Sequence, residues 1–296
     1  MKTLSFKNYK LHANYSELCG HKIAHWQSVD FETAVDKEVI VLIHGFPSAA
    51  WDWHLIWKHL AKRYRLVSLD MLGFGLSDKP SEHQYSLIEQ ADIVEALLKE
   101  KVVTNYHILA HDYGDSVAQE LLYRHEQSTS NNTIASICFL NGGLFSAVHR
   151  PLFSQKLLQS RYGKLACQFL NKNSLSNSFN KIFGANTQAS QTTIDTLWKL
   201  LKHNKGKVVL PKLITYIDER KVFGKTWIES MITTSIPMYF INGVLDPISG
   251  QQMLDHYVEI IPNPLTTALE VGHYPQLEAP EQVLDLYFEF LAQTNT

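Results

Sequence analysis

Short apolar runs recur along the chain and are separated by polar segments of helical character. We predict that five of these runs form β-strands: Val39–Ile43, Tyr64–Leu69, Tyr106–Ala110, Ile134–Leu140 and Met238–Ile241. Continuous runs of this kind are typical of parallel strands that are buried on both faces. Apolar residues at helical spacing predict helices over Trp53–Leu60, Leu87–Lys99, Ser116–His125 and Glu281–Ala292. Strands that alternate with helices indicate an α/β fold with a mainly parallel sheet.

Two stretches depart from this alternation. Residues 1–34 predict a β-meander with a turn at Cys19-Gly20. Residues 144–230 show no convincing strand, and their Asn/Ser-rich segment Asn171–Asn180 predicts a loop. Helical patterns in this stretch lie around Phe153–Phe169, Thr192–His203 and Pro211–Val222. We interpret 144–230 as a helical cap inserted into a core formed by 1–143 and 231–296. Such a cap would lie over the carboxyl ends of the strands, where ligands of open α/β sheets bind.

Charge supports this division of the chain. The formal net charge is −2, which gives no overall attraction to nucleic acid. The segment 144–230 holds 14 of the 27 Lys and Arg residues but 4 of the 29 Asp and Glu residues. Two interpretations stay open: a basic cap that docks on an acidic core, or a surface that attracts anionic substrates or an anionic lipid surface.

The remaining composition indicates a cytoplasmic protein. Three cysteines, Cys19, Cys138 and Cys167, show no metal-like spacing, so neither a disulfide framework nor a metal site is expected. The Met1–Lys10 segment lacks the apolar core of a signal peptide, and no apolar stretch suits a membrane span. Gly73-x-Gly75 lacks the third glycine of a dinucleotide fingerprint, so no cofactor is predicted. The chain could be a monomer or a homodimer.

The segment Ile108–Asp115 carries the first sign of chemistry. A predicted strand is followed by a small-x-nucleophile-x-Gly turn and then a predicted helix, the arrangement called a nucleophile elbow. Small residues must flank the exposed side chain of such a tight turn. Here Ala110 and Gly114 flank Asp112, which stands where a serine is usual.

Three more loops follow predicted strands. His44-Gly45-Phe46-Pro47 comes directly after the first of them, and the run Asp70–Asp78 follows the second. Asp246 lies shortly after the last predicted strand, and His273 lies further along the chain in Val271-Gly272-His273-Tyr274-Pro275. Nucleophile, acid and then histidine is the chain order of the α/β-hydrolases.

With these motifs the chain resembles the epoxide hydrolase and haloalkane dehalogenase branch of the α/β-hydrolases over essentially its whole core. Within that branch it is most similar to the mesoderm-specific transcript group of epoxide hydrolase-like proteins. Four segments carry that similarity: the DYGD elbow, the LGFGLSDKP loop, the NGGLF…HRP run and the HYPQLE run. The resemblance implies an α/β-hydrolase fold with a mainly parallel eight-stranded sheet and a cap.

The resemblance also implies a two-step hydrolysis without a cofactor. Asp112 is ionised at neutral pH and can attack an electrophilic carbon, which gives a covalent ester. His273 then activates water, and Asp246 orients the His273 ring. Backbone N–H groups of Phe46 and Tyr113 form the expected oxyanion hole.

Each residue also has a structural interpretation. Asp112 could be a helix N-cap, and Ser116 could be the nucleophile of a G-x-S-x-A frame. Asp246 could be a turn residue, and His273 an ordinary surface histidine. His44 and His111 are predicted to have structural roles in hydrogen bonding and packing.

The choice of substrate depends on less specific residues. Tyr113 and Phe46 occupy positions where dehalogenases typically carry halide-binding side chains, which favours an oxygen leaving group. Epoxide hydrolases use cap tyrosines to bind the epoxide oxygen, and Tyr216 and Tyr162 are the candidates here. We therefore expect a small apolar electrophilic substrate, most plausibly an epoxide. The alternatives are a haloalkane dehalogenase and a non-catalytic binding protein on the same scaffold.

Overall fold

A single eight-stranded sheet forms the centre of the molecule. The computed structural model describes residues 4–129 and 132–294, so the first three residues of the predicted meander lie outside the described residues. The strands are β1 (Asn14–Leu18), β2 (His21–Gln27), β3 (Val39–Ile43), β4 (Arg65–Leu69), β5 (Asn105–His111), β6 (Thr133–Leu140), β7 (Met238–Gly243) and β8 (Leu265–Leu269). Their order is β1-β2-β4-β3-β5-β6-β7-β8. β2 pairs antiparallel with β1 and β4, and all other pairs are parallel. The predicted mainly parallel sheet is confirmed.

Two features of the sheet differ from the sequence prediction. The pattern did not predict β8, because it is an edge strand with exposed or half-buried positions before Leu269 and carries Thr266 and Thr267 instead of a continuous apolar run. The predicted meander at 1–34 was partly wrong, since a short helix capped by Ser5 precedes the β1–β2 hairpin. The turn at Cys19-Gly20 is confirmed, and both residues adopt positive φ.

Helices cover both faces of the sheet and form the stretch between β6 and β7. The α-helices are α1 (Phe6–Leu11), α2 (Trp57–Leu60), α3 (Leu87–Glu100), α4 (Tyr113–Glu126), α5 (Phe153–Gln159), α6 (Gly163–Phe169), α7 (Lys172–Ile182), α8 (Gln191–Lys202), α9 (Leu210–Leu213), α10 (Tyr216–Thr233), α11 (Gln251–Ile260), α12 (Pro275–Glu278) and α13 (Pro280–Thr294). Two 3₁₀ segments, Ala50–Trp53 and His203–Val209, complete the set. The helix predicted at Trp53–Leu60 is thus split into a 3₁₀ turn and the short α2.

The stretch from residue 141 to residue 237, here called the β6–β7 insertion, contains α5 to α10. The loop predicted at Asn171–Asn180 was wrong, because α7 occupies this segment. Asn171 caps the helix by accepting a hydrogen bond from the Ser174 N–H, and Leu175, Phe179 and Ile182 form its buried face. An Asn/Ser-rich composition therefore conceals an amphipathic helix, since the apolar residues recur at a helical spacing.

The insertion is held to the core through α10, which packs along α4. The Trp227 indole N–H donates a hydrogen bond to Glu120 at 2.8 Å. The Leu87 N–H donates to Glu219 at 2.7 Å, which ties α10 to α3 as well. These contacts bring the first turns of α10 over the end of β5. Within the described residues, no helix has both the length and the apolar character needed to cross a membrane.

Candidate active site

Asp112 occupies a sharp turn between β5 and α4. Its φ of 48° lies in the left-handed region, a conformation that costs a non-glycine residue roughly 1–3 kcal/mol. The turn leaves no space beside it, because a Cβ on Gly114 would lie 2.3 Å from the Ile43 carbonyl oxygen. The Asp112 side chain makes no capping hydrogen bond to α4. The elbow therefore presents the carboxylate instead of using it as a helix cap.

A backbone N–H group faces this carboxylate. The Phe46 N–H, just after β3, donates a hydrogen bond to Asp112 Oδ2 at 3.0 Å. Tyr113 is the first residue of α4, where backbone N–H groups have no partner inside their own helix. These are the two residues whose N–H groups the sequence nominated for the oxyanion hole.

His273 and Asp246 lie beside the elbow on loops that follow β8 and β7. His273 Nδ1 donates a hydrogen bond to Asp246 Oδ2 at 2.7 Å. On the other side of the ring, His273 Nε2 lies 3.9 Å from Asp112 Oδ2. All three side chains are buried. The structure thus brings together three residues that are far apart in the chain.

The Asp246 carboxylate is fixed by four further donors. The Ile248 N–H donates to Oδ1 at 2.8 Å, and the Ser249 N–H and hydroxyl donate to Oδ2 at 3.1 and 2.8 Å. The Asn141 amide completes the set with a bond of 3.2 Å to Oδ2. A carboxylate held in this way orients the His273 ring with one nitrogen toward Asp112.

Tyr216 of the β6–β7 insertion also reaches the site. It is the first residue of α10, whereas the sequence predicted a helical pattern around Pro211–Val222 with Tyr216 in its interior. Its buried ring packs against Phe46 and Tyr113, with ring centroids 5.8 and 4.8 Å away. The Tyr216 hydroxyl has no hydrogen-bond partner among the described residues.

Arg220 is a residue that sequence reasoning missed. Its Nη2 donates to the Asp112 carbonyl oxygen at 2.8 Å and lies 3.7 Å from Asp112 Oδ1, and its Nε donates to the Ser116 hydroxyl at 2.6 Å. A Cβ on Gly143 would lie 2.2 Å from Nη1, so this glycine makes room for the guanidinium. The signal was present in the sequence, because Tyr216 and Arg220 are four residues apart and share one helix face.

A small apolar cavity adjoins the loops that carry Phe46 and His273. Its volume is about 100 Å³, and Phe46 and His273 form part of its wall. The rest of the wall comes mainly from the β6–β7 insertion, including Leu158, Leu170, Leu175, Phe179, Leu201 and Leu210. Such a lining suits an apolar ligand next to the His273 imidazole.

Comparison with known proteins identifies the family. The family model described as alpha/beta hydrolase fold matches residues 38–280. The chain belongs to the α/β-hydrolase family. The mesoderm-specific transcript protein of Mus musculus is 42% identical to this α/β-hydrolase over 263 residues, which cover 86% of this chain and 78% of that protein. The fold class and the resemblance predicted from the sequence are confirmed.

Two solved structures share the architecture at low identity. The epoxide hydrolase CorEH has a TM-score of 0.77 and 17% identity, and the match covers 95% of this chain and 98% of that one. The haloalkane dehalogenase DbeA from Bradyrhizobium elkani USDA94 has a TM-score of 0.80 and 14% identity, with 96% and 98% covered. At these identities the similarity shows the fold alone, so the substrate of this α/β-hydrolase has to be argued from its own residues.

The electrostatics of the site favour an ion pair. Burial alone would lower the pKa of His273, but the carboxylates of Asp246 and Asp112 outweigh it and raise this pKa to about 10. Burial raises the pKa of the Asp112 carboxyl, but His273 and Arg220 together hold this pKa well below its usual range. Asp112 is therefore ionised, and His273 is protonated beside it.

Two further histidines of this α/β-hydrolase act as structural groups. Burial lowers the pKa of His111 to about 3, and its Nε2 donates to the His273 carbonyl oxygen at 2.8 Å. Burial lowers the pKa of His44 to about 4, and its Nε2 accepts the Met71 N–H at 3.1 Å. Both rings are neutral, and they fix the backbone on either side of the elbow.

The structure does not bring Tyr162 to the site. This residue is 52% exposed, and its hydroxyl accepts a hydrogen bond from Arg161 at 2.6 Å. The Ser116 hydroxyl is buried and bonded to Arg220, whereas the His273 ring is bonded to Asp246. Neither residue is placed for the role that the sequence left open to it.

One group of side chains outside the site has donors suited to a metal ion. The ligand atoms of His21, His83 and Glu89 lie within 4.8 Å of one another. His83 Nε2 already bonds both oxygens of the Glu89 carboxylate at 2.8 Å. These residues belong to β2, α3 and the segment before α3, and none of them is on a catalytic loop.

Proposed function

We propose that this α/β-hydrolase hydrolyses a small apolar epoxide through a covalent ester on Asp112. One observation carries the proposal: the Asp112 carboxylate at the elbow accepts the Phe46 N–H at 3.0 Å and lies 3.9 Å from the His273 imidazole. A nucleophile, a base and an oxyanion donor thus surround one carbon atom, Asp112 Cγ. This arrangement supports two successive displacements.

In the first step, Asp112 Oδ1 attacks an epoxide carbon and the C–O bond of the ring breaks. The oxygen that leaves needs a hydrogen-bond donor and then a proton. In this scheme Tyr216 supplies both, because its hydroxyl makes no hydrogen bond among the described residues and its ring packs against Phe46 and Tyr113. Burial and the Asp112 charge raise the pKa of Tyr216, which keeps the phenol protonated until the ring opens.

In the second step, His273 removes a proton from water, and the resulting hydroxide attacks Asp112 Cγ. Esterification removes the negative charge of Asp112, which is one of the two charges that raise the His273 pKa. Once the ester has formed, the imidazolium gives up its proton, which restores the Tyr216 phenol, and the neutral imidazole can then act as the base. Asp112 Oδ2 already accepts the Phe46 N–H, so this oxygen carries the charge of the tetrahedral intermediate. Collapse breaks the bond between Cγ and the alkyl oxygen. That oxygen takes the proton that the hydroxide brought, so a diol leaves, the Asp112 carboxylate is restored and His273 is again protonated.

The β6–β7 insertion acts in this scheme as the cap over the site. Its leucines line the 100 Å³ cavity beside His273, and α10 contributes Tyr216 and Arg220. The cavity size and lining favour a compact apolar substrate over an extended polar one.

The ester is the species to test. In the His273→Gln variant, a terminal alkyl epoxide should leave a stable adduct on the Asp112 peptide, seen as a mass increase equal to the epoxide. In wild-type protein, one turnover in ¹⁸O-water should place the label in Asp112 and leave the first diol unlabelled. A labelled diol with unlabelled Asp112 would show direct attack by water and overturn the proposal. Halide release from haloalkanes without epoxide turnover would favour the dehalogenase alternative instead.

A further inference from the structure

The β6–β7 insertion carries a strongly basic outer surface. Residues 150–212 contain eleven Lys and Arg residues but a single acidic one, Asp195, which pairs with Lys172. Within this stretch, a groove of about 510 Å³ is lined by five lysines: Lys164, Lys202, Lys205, Lys207 and Lys212. We call it the basic groove.

The lysines of the basic groove are little compensated by acidic groups. Among the described residues, Lys212 has a distant acidic partner, Glu82, at 3.8 Å, whereas Lys164, Lys202 and Lys205 form no ion pair. Lys202 and Lys207 instead lie over the ring of Trp198, 5.8 and 5.7 Å from its centroid. The groove therefore carries a concentrated positive charge, and two of its lysines pack over the Trp198 ring.

An exposed apolar stripe runs beside the groove on α6. The buried residues of α6 are Gly163 and Cys167, so its inner face is narrow. Leu165 and Phe169 are 52% and 73% exposed and lie four residues apart, which places them on one face. Lys164 and Gln168, which line the groove, form the neighbouring stripe. Val208, also in the groove wall, is 55% exposed.

The basic groove and the apolar cavity are lined by neighbouring residues of the same segments of the insertion. Residues that line the cavity alternate along the chain with residues that line the groove. Leu170 follows Gln168, Leu201 precedes Lys202, and Leu210 follows Val208. A partner seated on the groove would therefore contact the same segments that line the cavity.

We propose that Leu165, Phe169 and Val208, together with the basic groove, dock on an anionic lipid bilayer. Lysines meet the headgroup charges, and the apolar side chains enter the interface between headgroups and acyl chains. A protein partner would cover the apolar stripe but would need a large acidic surface to match five lysines. This inference goes beyond the proposed hydrolysis, because docking requires neither Asp112 nor His273.

Flotation of the full chain with vesicles tests the proposal. The protein should bind vesicles that contain phosphatidylserine at least tenfold more tightly than pure phosphatidylcholine vesicles. Binding should weaken in 1 M salt, where the screening length is about 3 Å. Each lysine near an anionic membrane contributes about fivefold in affinity, so the Lys202→Glu/Lys205→Glu variant should lose at least tenfold.

Matched variants distinguish docking through the basic groove from a non-specific effect of the protein's net charge. The Lys221→Glu/Lys225→Glu variant makes the same charge change at exposed positions of α10 and should bind as wild type. The Leu165→Ser/Phe169→Ser variant should lose affinity, whereas Val222→Ser on α10 should not. Asp112→Asn should bind as wild type, so a failure of the proposed chemistry would leave this result intact. Equal loss in both charge variants, no preference for phosphatidylserine, or full competition by inorganic phosphate would overturn the proposal.

Discussion

The catalytic loops of the core and the β6–β7 insertion build the same site by different means. Asp112 comes directly after β5, Phe46 lies three residues beyond β3, and Asp246 lies three residues beyond β7. Short connections to a buried parallel sheet leave these residues little freedom. Tyr216 and Arg220, by contrast, lie more than 90 residues after Asp112 in the chain. They reach the site because α10 packs on α4. In the proposed mechanism the core therefore supplies the reacting groups, and the insertion supplies groups that act on the substrate and hold the elbow.

The largest effect should come from the core. Asp112→Asn removes the nucleophile, and we expect turnover of an epoxide to fall by at least about 10⁴-fold. Asp115→Asn is the matched control, because burial and the neighbouring Asp112 charge raise the pKa of Asp115 well above its usual range. Because burial disfavours the charged carboxylate at this position, a neutral amide of the same shape should leave turnover within a few fold. Steady-state assays of both purified variants measure the contrast, and an active Asp112→Asn protein would contradict the mechanism.

The insertion should contribute less to the rate. Tyr216→Phe removes the donor to the leaving oxygen, and we expect kcat to fall by roughly 10²-fold with a small change in KM. Tyr162→Phe tests the other tyrosine that the sequence nominated, and it should leave kcat unchanged because that hydroxyl bonds Arg161. A halide substrate has no oxygen to protonate, so an equal loss with both substrate types would show that Tyr216 merely supports packing.

Arg220 should matter for stability as well as for activity. Arg220→Met breaks the bonds to Ser116 and to the Asp112 carbonyl oxygen, and hydrogen bonds to a charged group contribute about 1.5–3 kcal/mol. We expect the free energy of unfolding to fall by about 2 kcal/mol in denaturant titrations. Lys221→Met, at an exposed neighbouring position, should stay within about 0.5 kcal/mol. Equal stability of the two variants would mean that Arg220 does not hold the elbow.

The same contrast explains what the sequence could predict. The five apolar strands could be predicted because a strand buried on both faces must be apolar. The loops after them could be predicted because the residues of each motif have a fixed spacing along the chain. β8 was missed because an edge strand can stay polar. The helix α7 was missed because its three buried side chains are spaced among Asn and Ser residues. Arg220 was missed although its spacing places it on the helix face of Tyr216, since a helical pattern alone does not say which core element that face packs against.

The smallest expected effect is a shift of the His273 pKa, which follows from its charge coupling to Asp112. Both carboxylates raise the His273 pKa to about 10 in the free protein, so NMR should show an imidazolium far above neutral pH, with His273→Gln identifying the signal. In the ester the His273 pKa shifts in the opposite direction, because loss of the Asp112 charge lowers it. Hydrolysis of the ester, followed in single turnovers, should therefore rise with pH to a plateau that is reached below pH 10.

Asp112→Asn mimics the neutral ester and should lower the His273 pKa in the same direction. Asp246 lies on the far side of the ring and keeps its 2.7 Å bond in either state, so the difference between the two titrations isolates the Asp112 charge. Identical titrations of wild type and Asp112→Asn would show that the elbow and the histidine are not coupled. In that case the protonation state of His273 would depend on Asp246 alone, and ester formation could not switch it from acid to base.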